Sequence, residues 1–530
     1  MVNTYLGIDF GTLSARIALV SEENGEVIGE SVQKYKHGVL TWDLPDWALA
    51  DPSDYREALF NGIEEVLLKT RLKEVCIRGI GIDATTYSMV PCKSDGTALA
   101  EIEEYRNIPH AYIKLWKHHG AQNEAKKIEA LHFEEGCFPA IDRYGHICNC
   151  EWALPKLLEV FDNAKYVFDE ADYFCDLGEW IAWILTGSRV NSLYSSGYKG
   201  MWTPEYGFPD REALNRLSDG FGDSFYEKFA GNVKDYSKPC GYLKKTIADR
   251  LNIPAGIPVA TPMGDGSAPG VYFCSKYPDA LAITLGTSVA MAFTNHQFKP
   301  ITGINGVLKD GIIPGYYCYD AGQPCAGDML AWFVKNHVPS SYYSDADEKK
   351  IDIYTYLGDL ANTRGTSSNK ITVLDWFNGN RSILNDSSLR GSIIGLSLDT
   401  RPEDIYVAMI HGIACGMRVI VDFLDENGIC FNKIIVCGGI AEKNLFFCQQ
   451  YANILNREIL ISNKKNITAL SSAMLAAVAN GETWEKVIDH MCNDSFITIK
   501  PDQRDRHDYE NIYLRYKKYH DLLGKKTLEE

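Results

Sequence analysis

The chain has 530 residues and a formal net charge of −17 at pH 7, with 45% hydrophobic and 23% charged residues. This composition is that of a globular protein and excludes long disordered regions, while the length favours two or more domains. The acidic balance argues against a general nucleic-acid binder, which needs a basic surface to follow phosphates. It does not argue against one bound nucleotide.

Fifteen cysteines are scattered along the chain without a C-x-x-C pair. This pattern is typical of free thiols in a reducing cytosol rather than of a zinc site or a disulfide framework. The N-terminus has no basic segment before an apolar one, so no signal peptide is expected. No uninterrupted apolar stretch approaches the roughly 20 residues of a membrane span. We therefore expect a cytoplasmic protein that binds neither membranes nor nucleic acid.

The first predicted elements lie between residues 5 and 35, which contain three strand-like segments. The Asn-Gly pair at 24–25 separates two of them and is a strong hairpin signal. Residues 53–69 have apolar positions at helical spacing, with Ser53 as the expected cap. The apolar segment VCIRGIGID follows as a buried strand. Strands that alternate with helices in this way predict an α/β architecture with a mixed sheet.

The second half of the chain begins like the first. Residues 281–293 predict a strand, a Gly-Thr turn and a second strand, as do the residues around Gly11-Thr12. The pairs Gly11-Thr12 and Gly286-Thr287 lie 275 residues apart, each after an apolar strand. So short a match also arises by chance, but its position at the start of each half makes internal duplication the better interpretation.

The later elements repeat the alternation of helices and strands. Residues 403–425 predict a long helix, and a strand–Gly-Gly–helix–strand unit follows, ending at EILIS. A cluster of prolines and glycines at 254–266 marks the junction between the halves. We accordingly expect an N-terminal domain of residues 1–265 and a C-terminal domain of residues 266–530.

Two Gly-Thr turns are the first candidate binding elements. In Asp9-Phe10-Gly11-Thr12, a strand ends in Asp and a tight turn presents backbone N–H groups and a hydroxyl. Such a turn can cradle phosphate oxygens while Asp9 holds Mg²⁺; the alternative is a plain hairpin turn. Gly286-Thr287-Ser288 occupies the equivalent place in the second half. Two facing turns suit a polyphosphate that must be held at its γ end.

Two further glycine-rich segments follow the strands near the junction and near the end of the chain. Asp265, between two glycines, is either a turn former or a general base that takes a proton from a substrate hydroxyl. Gly438-Gly439 lies after a buried strand and before a helix. This arrangement suits close contact with a flat ring or a ribose, and the alternative is a left-handed turn.

Three other kinds of binding site are not expected from the sequence. Residues 79–84 fit G-x-G-x-x-A, but a second strand rather than a helix is predicted to follow, which excludes a dinucleotide fingerprint. No G-x-x-x-x-G-K-S/T pattern occurs, so phosphate binding of the P-loop kind is not expected. His118-His119 lies on a helix-like stretch without ligands at i+4, and a surface pair is expected rather than a metal site.

These motifs together resemble the FGGY carbohydrate kinases, and within that family the ribulokinases. The resemblance implies two duplicated domains of the actin/hexokinase/Hsp70-like ATPase (ribonuclease H-like) fold around a cleft. LDWFNGNR and LWKHH are specific to ribulokinase-like sequences, whereas DFGT and GTS occur across the superfamily. The matching stretches, in family order over nearly the whole chain, are GIDFGTLSAR (7–16), LWKHHGAQNEA (115–125), EW (151–152), GYKGMW (197–202), ITLGTS (283–288), AGQPCAGDMLAWF (321–333), LDWFNGNR (374–381) and CGGIAEKN (437–444).

The resemblance implies ATP and Mg²⁺ as cofactors, a ketose as substrate, and a homodimer. It implies phosphorylation of a ketopentose, with L-ribulose as the leading substrate, at its terminal hydroxyl. The implied roles are Asp265 as catalytic base, Asp9 at the metal, Gly11 and Thr12 at the first phosphate turn, Gly286 and Thr287 at the second, Gly327 lining the nucleotide cleft, Gly438, Gly439 and Asn444 at adenosine, and Lys199 at the sugar.

The chain departs from the ribulokinase pattern around the implied sugar site. Asp320 stands where the pattern has Glu before A-G-Q, and its shorter side chain withdraws the carboxylate by one methylene. Tyr87 stands in a stretch where the family has smaller residues. Xylulose or another ketose is therefore the alternative substrate. A chaperone- or filament-like ATPase-fold module and a catalytically silent sugar sensor are the alternatives outside the enzyme class.

Overall fold

The computed structural model describes residues 2–44, 46–70, 75–304 and 306–524. The strands of the N-terminal half are β1 (Val2–Phe10), β2 (Ser14–Ser21), β3 (Val27–Lys34), β4 (Leu49–Ala50), β5 (Val75–Ala84), β6 (Met89–Cys92), β7 (Ile113–Lys114), β8 (Tyr173–Asp176), β9 (Asn191–Ser192), β10 (Val233–Lys234), β11 (Pro239–Tyr242), β12 (Pro258–Ala260) and β13 (Met263–Gly264). Its helices are α1 (Pro52–Lys69), α2 (Gln122–Glu135), α3 (Pro139–Arg143), α4 (Ala153–Asn163), α5 (Lys165–Glu170), α6 (Leu177–Thr186), α7 (Leu193–Lys199), α8 (Arg211–Leu217), α9 (Phe221–Lys228) and α10 (Lys245–Leu251).

The strands of the C-terminal half are β14 (Ala280–Leu285), β15 (Val289–Asn295), β16 (Gly306–Lys309), β17 (Tyr317–Gln323), β18 (Thr372–Leu374), β19 (Ser392–Ile394), β20 (Lys433–Cys437), β21 (Ile459–Ser462) and β22 (Phe496–Ile499). Its helices are α11 (Ala268–Lys276), α12 (Gly327–His337), α13 (Ser340–Lys349), α14 (Ile353–Arg364), α15 (Pro402–Glu426), α16 (Gly439–Lys443), α17 (Leu445–Leu455), α18 (Ile467–Ala479), α19 (Trp484–Met491) and α20 (Arg506–Leu523).

Each half is built around one seven-stranded sheet, and the two sheets have the same topology. The first has the order β3-β2-β1-β5-β12-β11, with β13 also paired to β5, and the second has β17-β15-β14-β20-β21-β22, with β16 at its edge. In both, an antiparallel meander of three strands is followed by two parallel strands, the first of which pairs with the first strand of the meander, and by an antiparallel edge strand. This correspondence confirms the internal duplication predicted from the two Gly-Thr turns.

Two helices lie between the sheets and join the halves. α11 packs on β14 and β15, whereas α18, from the C-terminal half of the chain, packs on β1 and β5 of the N-terminal sheet. The approach of α18 is so close that a β-carbon at Gly7 would overlap the carbonyl of Ala469, and one at Gly81 the carbonyl of Ser472. Glycine is therefore required at both strand positions for this helix to pack.

Most predicted elements agree with the structure. The three N-terminal strands, the hairpin at 24–25 and the long C-terminal helix, α15, are confirmed. β5 continues into β6 rather than into a helix, as expected for a chain without a dinucleotide fingerprint. The predicted cap of α1 is wrong: Asp51 caps the helix, because its Oδ1 accepts a hydrogen bond from the Ser53 N–H at 2.9 Å.

α15 is the one helix among the described residues that is long and apolar enough to cross a membrane. In the structure, 72% of its most apolar 18-residue window is buried inside the protein, where its side chains form the centre of the C-terminal core. The fifteen cysteines all lie within the described residues and are free thiols.

Candidate active site

Three parallel strands end in a carboxylate at the same edge of the N-terminal sheet. Asp9 of β1 lies in register with Asp83 of β5, and β13 pairs with β5 on its other side through Gly264 and Ala84. The N–H of Asp265, one residue beyond β13, donates to the Ala84 carbonyl at 2.9 Å. Asp83 therefore lies between Asp9 and Asp265, at the carboxyl ends of the strands, where ligands bind in open α/β sheets.

Asp265 has the electrostatic environment of a group that exchanges protons near neutral pH. Burial raises the pKa of Asp265 to about 7, and the negative charge of Asp9 adds to the rise. The Gly266 N–H, which donates to Asp265 Oδ1 at 2.7 Å, and the ammonium group of Lys199 oppose it. A carboxylate with this pKa suits general-base chemistry at physiological pH.

Asp83 is the carboxylate that sequence reasoning did not assign. It is fully buried, its Oδ2 accepts a hydrogen bond from Ser472 Oγ at 2.6 Å, and its Oδ1 has no partner among the described residues. Burial raises the pKa of Asp83 well above its usual range, and the charges of Asp9 and Asp265 contribute. A signal was present in the sequence: Gly-Ile-Asp occurs at both 7–9 and 81–83, on strands now seen to be paired in register.

Asp9 is buried and held from two sides. Thr468 Oγ1 of α18 donates to Asp9 Oδ2 at 2.6 Å, and Arg16 Nη1 lies 3.5 Å from the same oxygen. No group of three or more His, Cys, Asp or Glu side chains within the described ranges could hold a metal. Mg²⁺ that arrives with a nucleotide needs only one or two carboxylates, because phosphates and water supply its other ligands. The carboxylate of Asp9 fits that requirement.

Each Gly-Thr turn is closed by a backbone hydrogen bond from its glycine, although the first turn is one residue longer than the second. Gly11 N–H donates to Ser14 O at 3.1 Å, and Gly286 N–H donates to Ser288 O at 3.0 Å. The next two N–H groups of each turn donate to no group in the described part of the chain. They belong to Thr12 and Leu13 in the first turn and to Thr287 and Ser288 in the second. Each turn therefore presents free backbone donors of the kind that bind phosphate oxygens.

The turns differ in the residue two positions before the glycine. The position of Asp9 in the first half corresponds to Thr284 in the second, and its partner in register is Cys437 rather than an aspartate. Thr284 Oγ1 and Cys437 Sγ lie 3.6 Å apart. The duplicated sheets therefore carry carboxylates on one side only, so any metal or proton chemistry of the strand ends belongs to the N-terminal half.

Gly327 lies directly against the second turn, at the start of α12. Its N–H donates to Gly286 O at 3.0 Å, and the N–H groups of Ala326 and Asp328 donate to Thr287 O at 2.8 and 3.2 Å. A β-carbon at Gly327 would lie 2.6 Å from Gly286 O, so a side chain there would displace the turn. The structure thus brings together the turn and the predicted lining residue.

Gly438 and Gly439 follow β20 beside the second turn. Gly438 has φ +97°, and a β-carbon there would lie 2.5 Å from Leu285 O at the end of β14. A β-carbon at Gly439 would meet nothing within 4 Å, so the space beside it is open. Asn444 uses both polar atoms of its side chain within the fold: Oδ1 accepts from Phe447 N–H and Nδ2 donates to Tyr406 Oη. Its place at an adenosine site stays a prediction.

Lys199 ends α7 and is buried beside acidic side chains. Burial lowers the pKa of Lys199, and the carboxylates of Glu151, Asp320 and Asp265 oppose that effect. Lys199 Nζ lies 4.0 Å from Glu151 Oε2. Asp320 is half-buried on β17, in register with Ala292 and Gly306. The structure therefore brings the three predicted substrate residues, Lys199, Asp265 and Asp320, into one electrostatic cluster.

Glu151 and Arg381 join this cluster. The sequence motifs contain both residues but did not assign a role to either. Arg381 Nη2, from the C-terminal half, lies 3.1 Å from Glu151 Oε2. Burial alone would raise the pKa of Glu151, but Arg381, the hydrogen bond from His119 and Lys199 outweigh it and hold that pKa well below its usual range. Glu151 is therefore ionised under all physiological conditions.

The predicted surface pair at His118 and His119 is wrong. His118 is completely buried and its Nε2 lies 3.0 Å from Glu159 Oε2, while His119 Nε2 lies 3.2 Å from Glu151 Oε1. The segment also precedes α2 rather than belonging to a helix. Both imidazoles bind carboxylates because the turn before α2 directs them inward, which local periodicity does not reveal.

Tyr87 is fully buried and does not line an open space. It has φ +54°, its ring centroid lies 6.2 Å from that of Phe229, and its backbone carbonyl accepts a hydrogen bond from Lys156 Nζ at 2.8 Å. The expectation that its ring reshapes a sugar pocket stays a prediction; its hydroxyl lies against Gly200, where a β-carbon would overlap it.

Two family models match the chain. The N-terminal domain model of the FGGY family of carbohydrate kinases matches residues 4–271, and the C-terminal domain model matches residues 281–480. Among curated relatives, a ribulokinase of Geobacillus thermodenitrificans is 34% identical over 536 residues, covering 98% of this chain and 94% of the relative. A ribulokinase of Bacillus licheniformis is also 34% identical, over 531 residues, covering 97% of this chain and 96% of the relative.

Solved structures share the fold over nearly the whole chain. A gluconate kinase from Lactobacillus acidophilus superposes with a TM-score of 0.79 at 19% identity, covering 99% of both chains. A xylulose kinase from Rhodospirillum rubrum superposes with a TM-score of 0.77 at 17% identity, covering 98% of this chain and 99% of the other. At these identities the similarity establishes the two-domain α/β architecture and not the substrate.

Proposed function

Because the chain belongs to the FGGY family of carbohydrate kinases, we propose that it transfers the γ-phosphoryl group of ATP to the terminal hydroxyl of a ketopentose, with L-ribulose as the leading substrate. The relatives named ribulokinase at 34% identity over almost the full length support this substrate class. The observation that carries the mechanism is the position of Asp265, with a pKa of about 7, beside Asp9 and Lys199.

In this mechanism Asp265 is the general base. Its carboxylate accepts the proton of the terminal hydroxyl, most simply that on O5, as this oxygen forms a bond to the γ-phosphorus. The bond from that phosphorus to the bridging oxygen breaks, and the electron pair leaves with ADP. Lys199, Asp320 and Asp265 hold the ketose so that its hydroxyl is in line. Such positioning supplies most of the rate enhancement in phosphoryl transfer.

The proposed nucleotide site is formed mainly by backbone groups of both halves. The free N–H groups of the turns at Gly11-Thr12 and Gly286-Thr287 bind the phosphates, with Gly327 fixing the second turn. The open space beside Gly439, next to Gly438, receives the adenosine, and Asn444 fixes the start of α17 behind it. Asp9 would hold Mg²⁺, which would neutralise charge on the phosphate oxygens.

This assignment keeps the division of the chain at residue 265. Residues 1–265 supply the base, the metal ligand and the lysine, and residues 266–530 supply the second turn and the adenosine site. A cytoplasmic location is part of the proposal, supported by the fifteen free thiols. A homodimer is an expectation of the resemblance, to be tested by analytical ultracentrifugation.

A different ketose is the second candidate substrate, and Asp320 is the observation that favours it. This residue stands where the ribulokinase pattern has Glu and belongs to the cluster around Lys199. A carboxylate set back by one methylene changes which sugar hydroxyl it reaches. Buried polar groups discriminate strongly between substrates when a hydroxyl fails to meet its partner.

The test is ADP release from Mg·ATP in the presence of L-ribulose, D-ribulose, L-xylulose, D-xylulose or ribitol. A clear preference for L-ribulose supports the proposed substrate and makes Asp320 a tolerated substitution. Preference for another sugar keeps the kinase mechanism and assigns the change of specificity to the Asp320 region. ATP binding without release stimulated by any sugar contradicts the proposal and favours a catalytically silent sensor.

A further inference from the structure

One loop of the C-terminal half, here called the cross-cleft loop (residues 375–391, between β18 and β19), reaches the N-terminal half beside Lys199. It contains most of the LDWFNGNR motif, and it meets the LWKHH motif of the N-terminal half. Ser387 Oγ donates to Gln122 Oε1 at 2.7 Å, and Arg381 pairs with Glu151. Arg381 of LDWFNGNR also lies over the ring of Trp116 of LWKHH, so the two motifs specific to ribulokinase-like sequences are in contact.

The cross-cleft loop is firmly attached to its own half. Ser382 Oγ bonds both the N–H and the carbonyl of Gly322 at 2.9 Å, and Asn380 and Asp386 exchange two backbone hydrogen bonds at 2.8 Å. Gly322 belongs to β17, two residues after Asp320. The strand that carries Asp320 and the loop that carries Arg381 are therefore joined directly by hydrogen bonds.

Arg381 is held in one place by two groups of the N-terminal half. Its guanidinium lies within 3.3 Å of both oxygens of Glu151, and it lies 5.0 Å above the ring of Trp116. Trp116 Nε1 in turn donates to Thr12 Oγ1 of the first Gly-Thr turn at 3.0 Å. Only 12% of the Arg381 side chain and 5% of the Glu151 side chain are exposed, so this ion pair is largely withdrawn from solvent.

Glu151 is shared between Arg381 and Lys199. The carboxylate has Arg381 at 3.1 Å and His119 at 3.2 Å, while Lys199 stands off at 4.0 Å. Arg381 and His119 contact the Glu151 carboxylate directly. The ammonium of Lys199 is therefore attracted to Glu151 without forming a short ion pair with it. Its donors remain available to a ligand. Removing Arg381 would let Glu151 close on Lys199.

We infer that Arg381 is a positioning residue of the sugar site, which acts across the two halves by fixing Glu151 and thereby keeping the ammonium of Lys199 available to the sugar. The inference rests on the proposed function, because it takes Lys199 as the sugar contact. It adds that the C-terminal half sets sugar affinity through an ion pair and not only through Asp320. Sugar binding is thereby tied to the relative position of the halves.

The test compares R381M with R390M in the full-length protein. Arg390 lies on the same loop and also faces the N-terminal half, but its Nη2 is 4.0 Å from Asp46 Oδ1 and 63% of its side chain is exposed, which makes it a matched control. We expect R381M to lower kcat/KM for the ketose about 100-fold, mainly through KM, and R390M to stay within about twofold of wild type. R381K, which keeps the charge but not the planar guanidinium above Trp116, should fall between them.

A double variant of Arg381 and Lys199 distinguishes a positioning role of Arg381 from a general structural role. If Arg381 acts through Lys199, the double variant R381M/K199M retains kcat/KM within about threefold of K199M alone. If the two losses multiply instead, the inference is overturned. Thermal unfolding of each variant, with R381K as the milder change, shows that the comparison is made on folded protein.

The failure of the inference is distinct from that of the proposed function. Wild type that phosphorylates a ketose, with R381M unchanged in KM, overturns the inference alone. Wild type without turnover stimulated by any ketose overturns the proposed function, and the inference with it.

Discussion

Asp83 lies in register beside Asp9 on the neighbouring parallel strand, and α18 supplies a hydroxyl to each: Ser472 to Asp83 and Thr468, one turn earlier, to Asp9. Burial raises the pKa of Asp83 well above its usual range, and the charge of the neighbouring Asp9 adds to the rise. Folding therefore favours the neutral form of Asp83, whose carboxyl ionises near pH 4 in the unfolded chain.

This difference predicts how stability depends on pH. Between the unfolded and folded pKa values of Asp83 the native state binds more protons, so the free energy of unfolding falls as pH rises, by up to about 1.4 kcal/mol per pH unit from this group. D83N removes this contribution. The stability of D83N relative to wild type should increase as the pH rises above about 4, measured by urea unfolding at a series of pH values. D249N, at an exposed site, should show no such trend; a difference independent of pH for D83N would contradict the assignment.

The second prediction concerns the base. D265N should retain nucleotide binding within about threefold, because the turns and Asp9 are untouched, while kcat falls by at least about 1,000-fold. Isothermal titration with Mg·ATP and ADP release with the preferred ketose measure the two effects. Near-normal turnover would exclude Asp265 as the proton acceptor.

The pH dependence of catalysis gives the third prediction. A base must be deprotonated to act, so kcat/KM for the ketose should rise with pH and level off above a pKa of about 7, that of Asp265. The ammonium of Lys199 lowers this pKa, so K199M should shift the rise of kcat/KM to higher pH, although its overall rate is lower. If kcat/KM rises at the same pH in K199M as in wild type, a group other than Asp265 titrates.

The fourth prediction uses the open space beside Gly439. G439A adds a methyl group that meets no protein atom within 4 Å, so thermal stability should change little. If adenosine occupies this space, KM for ATP should rise about tenfold while KM for the ketose is unchanged. G438A is the contrast: its φ of +97° and the nearby Leu285 carbonyl predict a loss of stability. An unchanged KM for ATP in G439A would move the adenosine site elsewhere.

The fifth prediction tests specificity at β17. D320E restores the side-chain length of the ribulokinase pattern and should change the ratio of kcat/KM between L-ribulose and D-xylulose by at least about tenfold, equivalent to about 1.4 kcal/mol. Competition assays with both sugars present give this ratio directly. D310N, in the turn before β17, is the control for a nonspecific effect on the sheet. An unaltered ratio would remove Asp320 from the determinants of specificity.

The elements that depend only on residues close in the sequence were predictable. The apolar strands that end at Phe10 and Leu285, the tight Gly-Thr turns after them and the long apolar helix α15 follow from local sequence pattern, because propensity and periodicity act over a few residues. The duplication was also visible, since the turn motif recurs at the start of each half. Where the structure differs, as in the cap of α1 and the two inward histidines, a neighbouring side chain or a tertiary partner provided the competing hydrogen bond.

By itself, the sequence determined which residues end strands, form tight turns and carry charge, and by resemblance it determined the family. The tertiary structure decided which distant residues meet. Asp83 becomes part of the site because β5 pairs in register with β1, and α18 reaches both carboxylates because Gly7 and Gly81 admit it. Arg381 reaches Glu151 because a loop of one half packs on the other. Such contacts arise from the packing of whole sheets and helices, which no local pattern encodes.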